Sequence, residues 1–206
     1  MPDGSVLSDP RFERAVQAID TANAEDPNLI DDHGALRPKE LVHADVVERW
    51  LRHLDPGASD LQVLAARAHH LRRWVSPRSS FPEGRAGYLR WRTAHKARQA
   101  EEVAQILAEA GYDAADSEEV AATVGKRLPK DDPRGQAHED ALCLSFVELQ
   151  FDEIVEQLGH ERAVAVVRRT LAKMSPEAVA VAAGLPLSAP CAAVLADAVA
   201  SVPGGG

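Results

Sequence analysis

The sequence predicts an all-α protein built as a bundle of eight or nine helices, and three observations carry that expectation. Ala, Leu, Glu and Arg, which favour helix, are abundant, while β-branched and aromatic runs are nearly absent; aromatics make up 4% of the chain. Apolar residues recur at helical spacing between Gly and Pro stops. Helix-start signals stand at the heads of those segments. At 206 residues, 45% of them hydrophobic, the chain can bury one substantial core with a small appendage.

The elements follow in order. A first helix covers about residues 10–24, with Asp9 as N-cap and Phe12, Ala15, Val16, Ile19 and Ala22 on one stripe. A loop follows through Asp26-Pro27-Asn28 and Asp31-Asp32-His33-Gly34. A second helix runs over about 39–54 and stops at Pro56-Gly57. The third opens on Ser59-Asp60-Leu61-Gln62, a capping-box pattern, and continues to about Trp74. Residues 76–87, rich in Ser, Pro and Gly, form a candidate binding loop. A long fourth helix spans about 88–110 and ends at Gly111. Further helices are expected over about 116–127, 138–158 and 161–173. Ser175-Pro176-Glu177 starts an eighth, ended by Gly184, and a ninth covers about 188–201. Residues 1–174 read as one helical domain. Residues 175–206 read as a C-terminal helical cap with a frayed Val-Pro-Gly-Gly-Gly tail.

Composition excludes several classes. The opening MPDGSVLSDP lacks the basic start and apolar core of a secretory signal. The most apolar region, 178–202, is broken by Gly184, Pro186, Pro190 and Asp197, so it cannot cross a bilayer as one helix. Cys143 and Cys191 form no CxxC pair, and Cys143 lies in an apolar run, as a buried thiol of a reducing cytoplasm would. The expectation is a cytoplasmic, membrane-free protein. A formal charge of −9 argues against general nucleic-acid binding.

One stretch runs against that acidity. Arg67, Arg72, Arg73, Arg78, Arg85, Arg90, Arg92, Lys96 and Arg98 face a single acid, Glu83, across residues 67–98. The same stretch holds three of the eight His and two of the three Trp. Eight of its nine cations are Arg, whose planar fork suits phosphate and carboxylate, so it reads as a site for a small anion. The alternative is a solvated, salt-bridged helix face.

Several metal-competent side chains stand where core residues are expected. His43 is in line with Val47, Trp50 or Leu51, and Leu54 on the second helix. His69 and His70 end an Ala-rich apolar stripe. On the sixth helix, Asp140 leads Leu144, Val147, Phe151 and Ile154, and a buried carboxylate needs a partner or a cation. His95 lies on a helix apolar on two sides and points inward. Imidazole and carboxylate are the usual ligands of zinc, manganese or iron. Each residue also has a plainer reading: His43 and His95 as hydrogen-bonded core histidines, Asp140 as a helix-start acid, and the His pair as a solvated edge.

The order of these residues resembles the HD superfamily of helical metal-dependent phosphohydrolases over about 39–158. His43-Ala44-Asp45-Val46-Val47 looks like its first element, Ala65-Ala66-Arg67-Ala68-His69-His70-Leu71 like its central pair, and Glu139-Asp140 like its last. His70 stands where that pattern has Asp, which makes a mononuclear site easier to build than a dinuclear one. An extra His on the long helix of some members would fall at Gln99, one turn beyond His95. A resemblance that covers most of the chain is to the family known as domain of unknown function 4202. Its marks are Asp26-Pro27-Asn28, His70-Leu71-Arg72-Arg73-Trp74 with Pro77-Arg78-Ser79, the run from Arg85 to Thr93, Glu109-Ala110-Gly111-Tyr112-Asp113 and Glu139-Asp140-Ala141. Some members carry a glutamyl-tRNA synthetase label, but neither a nucleotide-binding α/β pattern nor the usual synthetase motifs occur here.

Together these readings imply an HD-like bundle and a metal-dependent hydrolase of a small phosphorylated or nucleotide-like anion. His43, His69, His70 and Asp140 would hold a divalent Zn, Mn or Fe ion. His95 would be a further ligand or proton carrier, and Glu139 the general base. Arg72, Arg73, Arg78, Arg85 and Arg92 would bind the anion, with Trp74 and Trp91 stacking on a ring. Two alternatives stay open: a non-catalytic module binding an anionic metabolite through the basic island of 67–98, and an iron-dependent oxygenase on the same scaffold.

Overall fold

A computed structural model describes residues 9–201. Ten α-helices are present among them: α1 (Pro10–Ala24), α2 (Lys39–Leu54), α3 (Asp60–Ala68), α4 (Gly84–Ala110), α5 (Ala114–Val124), α6 (Pro133–Leu149), α7 (Phe151–Leu158), α8 (His160–Leu171), α9 (Pro176–Ala183) and α10 (Ala189–Ala200). The other regular elements are two short 3-10 turns, Arg73–Val75 and Arg78–Ser80, and one hairpin, β1 (Leu29–Asp32) with β2 (Ala35–Pro38). The protein is all-α. The signal-peptide reading of the opening residues and the frayed C-terminal tail lie outside the described residues.

The helix count exceeds the expected eight or nine because the segment expected as one helix over 138–158 is two. Gln150 leaves the helical region (φ −129°, ψ −6°) between α6 and α7, and Phe151 turns into an apolar cluster where it is 1% exposed. The apolar period runs on through that break, so the pattern conceals it.

The segment expected as a loop after α1 holds the hairpin. His33 (φ 54°) and Gly34 (φ 89°) form its two-residue turn, a conformation whose twist suits antiparallel strands. Leu29 and Leu36 are exposed, so the strands show no apolar face for the sequence to announce.

The third helix stops at Ala68, short of the expected Trp74. Residues 69–75 make turns, and Arg72 takes a left-handed conformation (φ 46°, ψ 44°). Such backbone costs a non-glycine residue roughly 1 kcal/mol, so surrounding contacts must hold it.

Packing groups the chain into two compact units. Among the described residues, one comprises 9–45 with Ala58–Leu128, the other Val46–Gly57 with 129–201; the sequence-based partition fell at residue 174. The first unit is centred on α1, α3, α4 and α5, whose Ala15, Ile19, Leu64, Ala68, Val103, Leu107 and Val120 are fully buried. Small Ala side chains let these helices approach closely. Arg67 is buried there and pairs with Asp20 and Asp45, while Asp45 also pairs with Arg37. One guanidinium thus ties α3 to α1 and to α2.

The second unit gathers Val147, Phe151, Val167, Leu171, Cys191 and Leu195 from α6, α7, α8 and α10. Trp50 and Arg49 both reach Glu148 within it. Cys143 and Cys191 are buried thiols. No helix among the described residues is long and apolar enough to cross a membrane.

Candidate metal centre

The site begins with the Asp26-Pro27-Asn28 turn. The Asp26 carboxylate accepts from Asn28 N through Oδ1 (2.9 Å) and from Glu40 N through Oδ2 (3.1 Å). Lys39 N donates to Asn28 O at 2.8 Å. Asp26 therefore caps the start of α2 from outside the helix, which fixes where Glu40 stands. His43 follows three residues later, one helical turn on, and shares its face.

The second half comes from the end of α3. Ser59 and Gln62 form the expected capping box at its start. The chain leaves the helix after Ala68, and the Arg72 turn folds back. Arg72 N donates to Asn23 Oδ1 (3.1 Å), and Arg98 Nη2 donates to Leu71 O (3.0 Å) and Arg72 O (2.9 Å). Gln99 Nε2 donates to Leu71 O at 3.4 Å. This clamp holds the left-handed residue and presents His70 and Arg73 on one side.

Glu40, His43 and His70 converge. Each offers one ligand atom, and these atoms lie within 4.8 Å of one another, the one such group of three found among the described residues. Glu40 and His43 are buried, and the His70 side chain is 16% exposed. The His43 and His70 rings are 4.3 Å apart, and the His69 ring is 4.9 Å from that of His70.

The tautomer of His70 follows from its neighbours. Arg73 Nη1 lies 2.7 Å from His70 Nε2, and a guanidinium only donates, so Nε2 is the acceptor. Nδ1 then carries the proton and donates to Glu40 Oε2 at 3.0 Å.

Electrostatics agree with this assignment. Burial pushes His43 down to about 3 and His70 well below the ordinary imidazole value, so both rings are neutral at pH 7. Burial also pushes the Glu40 carboxyl up, against the pull of His43 and Arg73. Neutral imidazole is the form that ligates a cation.

A second layer adjoins Arg73. Its guanidinium lies over the Trp91 ring (5.2 Å), Trp91 and Tyr88 are neighbours (5.9 Å), and Arg92 lies over Tyr88 (5.8 Å). Trp91 Nε1 and His95 Nε2 both donate to Ser76 O, at 2.9 and 2.8 Å. Because Nε2 donates, His95 Nδ1 keeps a lone pair. That atom is buried with no hydrogen-bond partner among the described residues, and burial lowers the pKa of the ring.

The residues singled out from sequence fall into distinct places. His43, His70 and Arg73 meet at the cluster. His69 caps the end of α3 and neighbours His70 but is not in the ligand group. Asp140 belongs to the second unit, where its Oδ1 accepts from Ser175 N (2.8 Å) and Gln136 Nε2 (2.9 Å) at the start of α9. Glu139 pairs with Lys173. Arg72 pairs with Glu102 and Glu25. Arg78 donates to Phe81 O and Gly84 O, which ties the loop before α4. Arg85 and Arg92 are exposed, and Trp74 is half-buried in the first 3-10 turn.

Sequence reading missed Glu40. The available signal was its position three residues before His43, but an acid in a first helical turn ordinarily serves the helix dipole.

The fold and the cluster together describe an all-helical protein with a buried two-His, one-carboxylate donor set. The chain belongs to the family described as Domain of unknown function (DUF4202), which it matches over residues 13–195. No curated protein and no solved structure matches the chain.

Proposed function

We propose that the protein is a metal-dependent hydrolase of a small phosphorylated anion, with Glu40, His43 and His70 as the ligands of a divalent cation. The convergence of these three side chains carries the reading. Around one cation with bonds of roughly 2.0–2.2 Å, ligand atoms sit about 3–4 Å apart, within reach of small adjustments here. Three protein ligands leave a position open, and a cation bound there supplies a hydroxide at neutral pH by acidifying its water.

The other residues have their own parts. Arg73 and the exposed Arg92 offer guanidinium groups to an anion. His95 Nδ1 is a proton acceptor whose tautomer is set by the Ser76 carbonyl. Asp140 is left out of the ligand set, because its Oδ1 has a structural role of its own, anchoring Ser175 N and Gln136 Nε2 at the start of α9. The likeness of the segments around His43 and His69-His70 to the HD phosphohydrolases favours the same reaction class.

The same donor set also suits a non-haem iron oxygenase. The Arg-rich surroundings favour hydrolysis of an anion over that reading. Elemental analysis of protein purified without a metal-affinity tag, paired with hydrolysis assays on phosphomonoesters and nucleotides, tests the proposal. Stoichiometric metal and hydrolysis abolished by chelation and by His70→Ala are expected. Full activity after complete metal removal would overturn it. A coloured, iron-loaded protein without hydrolysis would favour the oxygenase.

A further inference from the structure

The geometry points to Arg73 as a latch on the proposed metal centre, one that must leave His70 before a cation can bind. The inference rests on the metal reading and adds an obligatory coupling to it. Arg73 Nη1 donates to His70 Nε2, and His70 Nδ1 donates to Glu40, so both nitrogens of the ring are engaged. Two routes would free a lone pair for a cation. If the cation takes Nε2, it displaces the Arg73 N–H directly. If it takes Nδ1, the imidazole stays neutral only by carrying its proton on Nε2, where that N–H would face the Arg73 N–H, donor against donor. Either route expels Arg73.

Leaving His70 also disturbs the guanidinium's present aromatic contact. The group stacks on Trp91, next to Tyr88 and the exposed Arg92, and unlike a lysine it cannot shed its charge. Released from His70, it becomes a free anion-binding fork beside the centre. Cation and anion binding are therefore coupled through one side chain. An anion that holds Arg73 away raises affinity for the cation, and the reverse follows by linkage.

The test uses full-length, chelator-treated protein titrated with Zn2+, which is spectroscopically silent, while tryptophan emission is followed. Trp91→Phe identifies the part of the signal that belongs to Trp91. In the wild type, Zn2+ should change Trp91 emission as the stacked guanidinium departs. Arg73→Met should bind Zn2+ about tenfold more tightly with no change in Trp91 emission, and Arg73→Lys, a second variant that keeps the charge, should fall between. Millimolar inorganic phosphate should tighten Zn2+ binding in the wild type by severalfold and leave Arg73→Met unaffected.

A merely electrostatic role for Arg73 would tighten Zn2+ binding without moving Trp91. The latch is therefore overturned if wild-type Trp91 emission stays fixed as Zn2+ binds, or if Arg73→Met binds no tighter. Glu40→Gln separates the two ideas. If that variant loses Zn2+ binding while the Arg73 results fail, the metal centre stands and the latch falls. If the wild type binds no Zn2+ at all, both fall.

Discussion

Two buried carboxylates, Glu40 in the first turn of α2 and Asp140 midway along α6, have surroundings that differ in kind. Asp140 faces N–H groups: a backbone amide at the head of α9 and the side-chain amide of Gln136. Glu40 faces two imidazoles and a guanidinium through His70. Amide donors tie a carboxylate to the backbone it anchors, whereas imidazoles are themselves ligands and can share a cation with it. The comparison teaches that burial of an acid says little until its partners are named.

The comparison breaks most sharply in activity. His70→Ala should lower hydrolysis by a thousandfold or more, since it removes a ligand and the partner of Glu40. Asp140→Ala should leave kcat within a few-fold while destabilising the fold by about 1–3 kcal/mol, the cost of orphaning the Ser175 amide. Steady-state assays and urea melts on both variants check this. Equal loss of activity in the two would erase the distinction between the carboxylates.

The next effect is on pH. His43 and His70 are held neutral in the folded protein, but in the unfolded chain they protonate near their ordinary value of 6.5. Below pH 6.5 the unfolded chain thus binds more protons, so their contribution is present above that pH and lost as pH falls toward about 3. Glu40 acts in the opposite sense. Its raised pKa makes the folded state bind more protons above 4.5, which offsets part of the loss. Unfolding free energy should fall by about 1–2 kcal/mol between pH 6.5 and 5.5. His43→Phe should make the slope shallower in urea melts at the two pH values, and an unchanged slope would contradict the neutral-ring assignment.

A third effect concerns the supports of the cluster. Asp26→Ala removes the acceptor for Glu40 N and should cost about 1–2 kcal/mol in stability. It should also weaken cation affinity, because the start of α2 loses its anchor. The smallest effect belongs to the rim: Arg92→Ala should weaken phosphate binding only a few-fold, because the residue is exposed and its charge is screened. Calorimetric titration with phosphate reads that change.

Much of the fold was legible because helix punctuation is local. The Asp9-Pro10 start, the Ser59–Gln62 box and the Gly111 stop act through neighbouring residues, and each stands where the sequence put it. The break at Gln150 was not legible, because an apolar period continues across it. The site was half legible. His43 and His70 were marked by lying on apolar faces, but which imidazoles meet depends on where α3 ends, and that end is fixed by Asn23, Arg98 and Gln99 from other helices. The basic island was legible only in part for the same reason. Its charge count could not show that Arg67 is consumed by Asp20 and Asp45 or Arg72 by Glu102, all of them outside the island's own residues, the last just past its end.

The central claim is that Glu40, His43 and His70 hold a divalent cation. Equilibrium titration of chelator-treated wild type, Glu40→Gln and Asp140→Asn with Zn2+ tests it most directly. The account predicts one equivalent bound by the wild type, affinity at least a hundredfold weaker in Glu40→Gln, and affinity near wild type in Asp140→Asn. Binding that survives Glu40→Gln unchanged, or that disappears with Asp140→Asn in a folded protein, would contradict it.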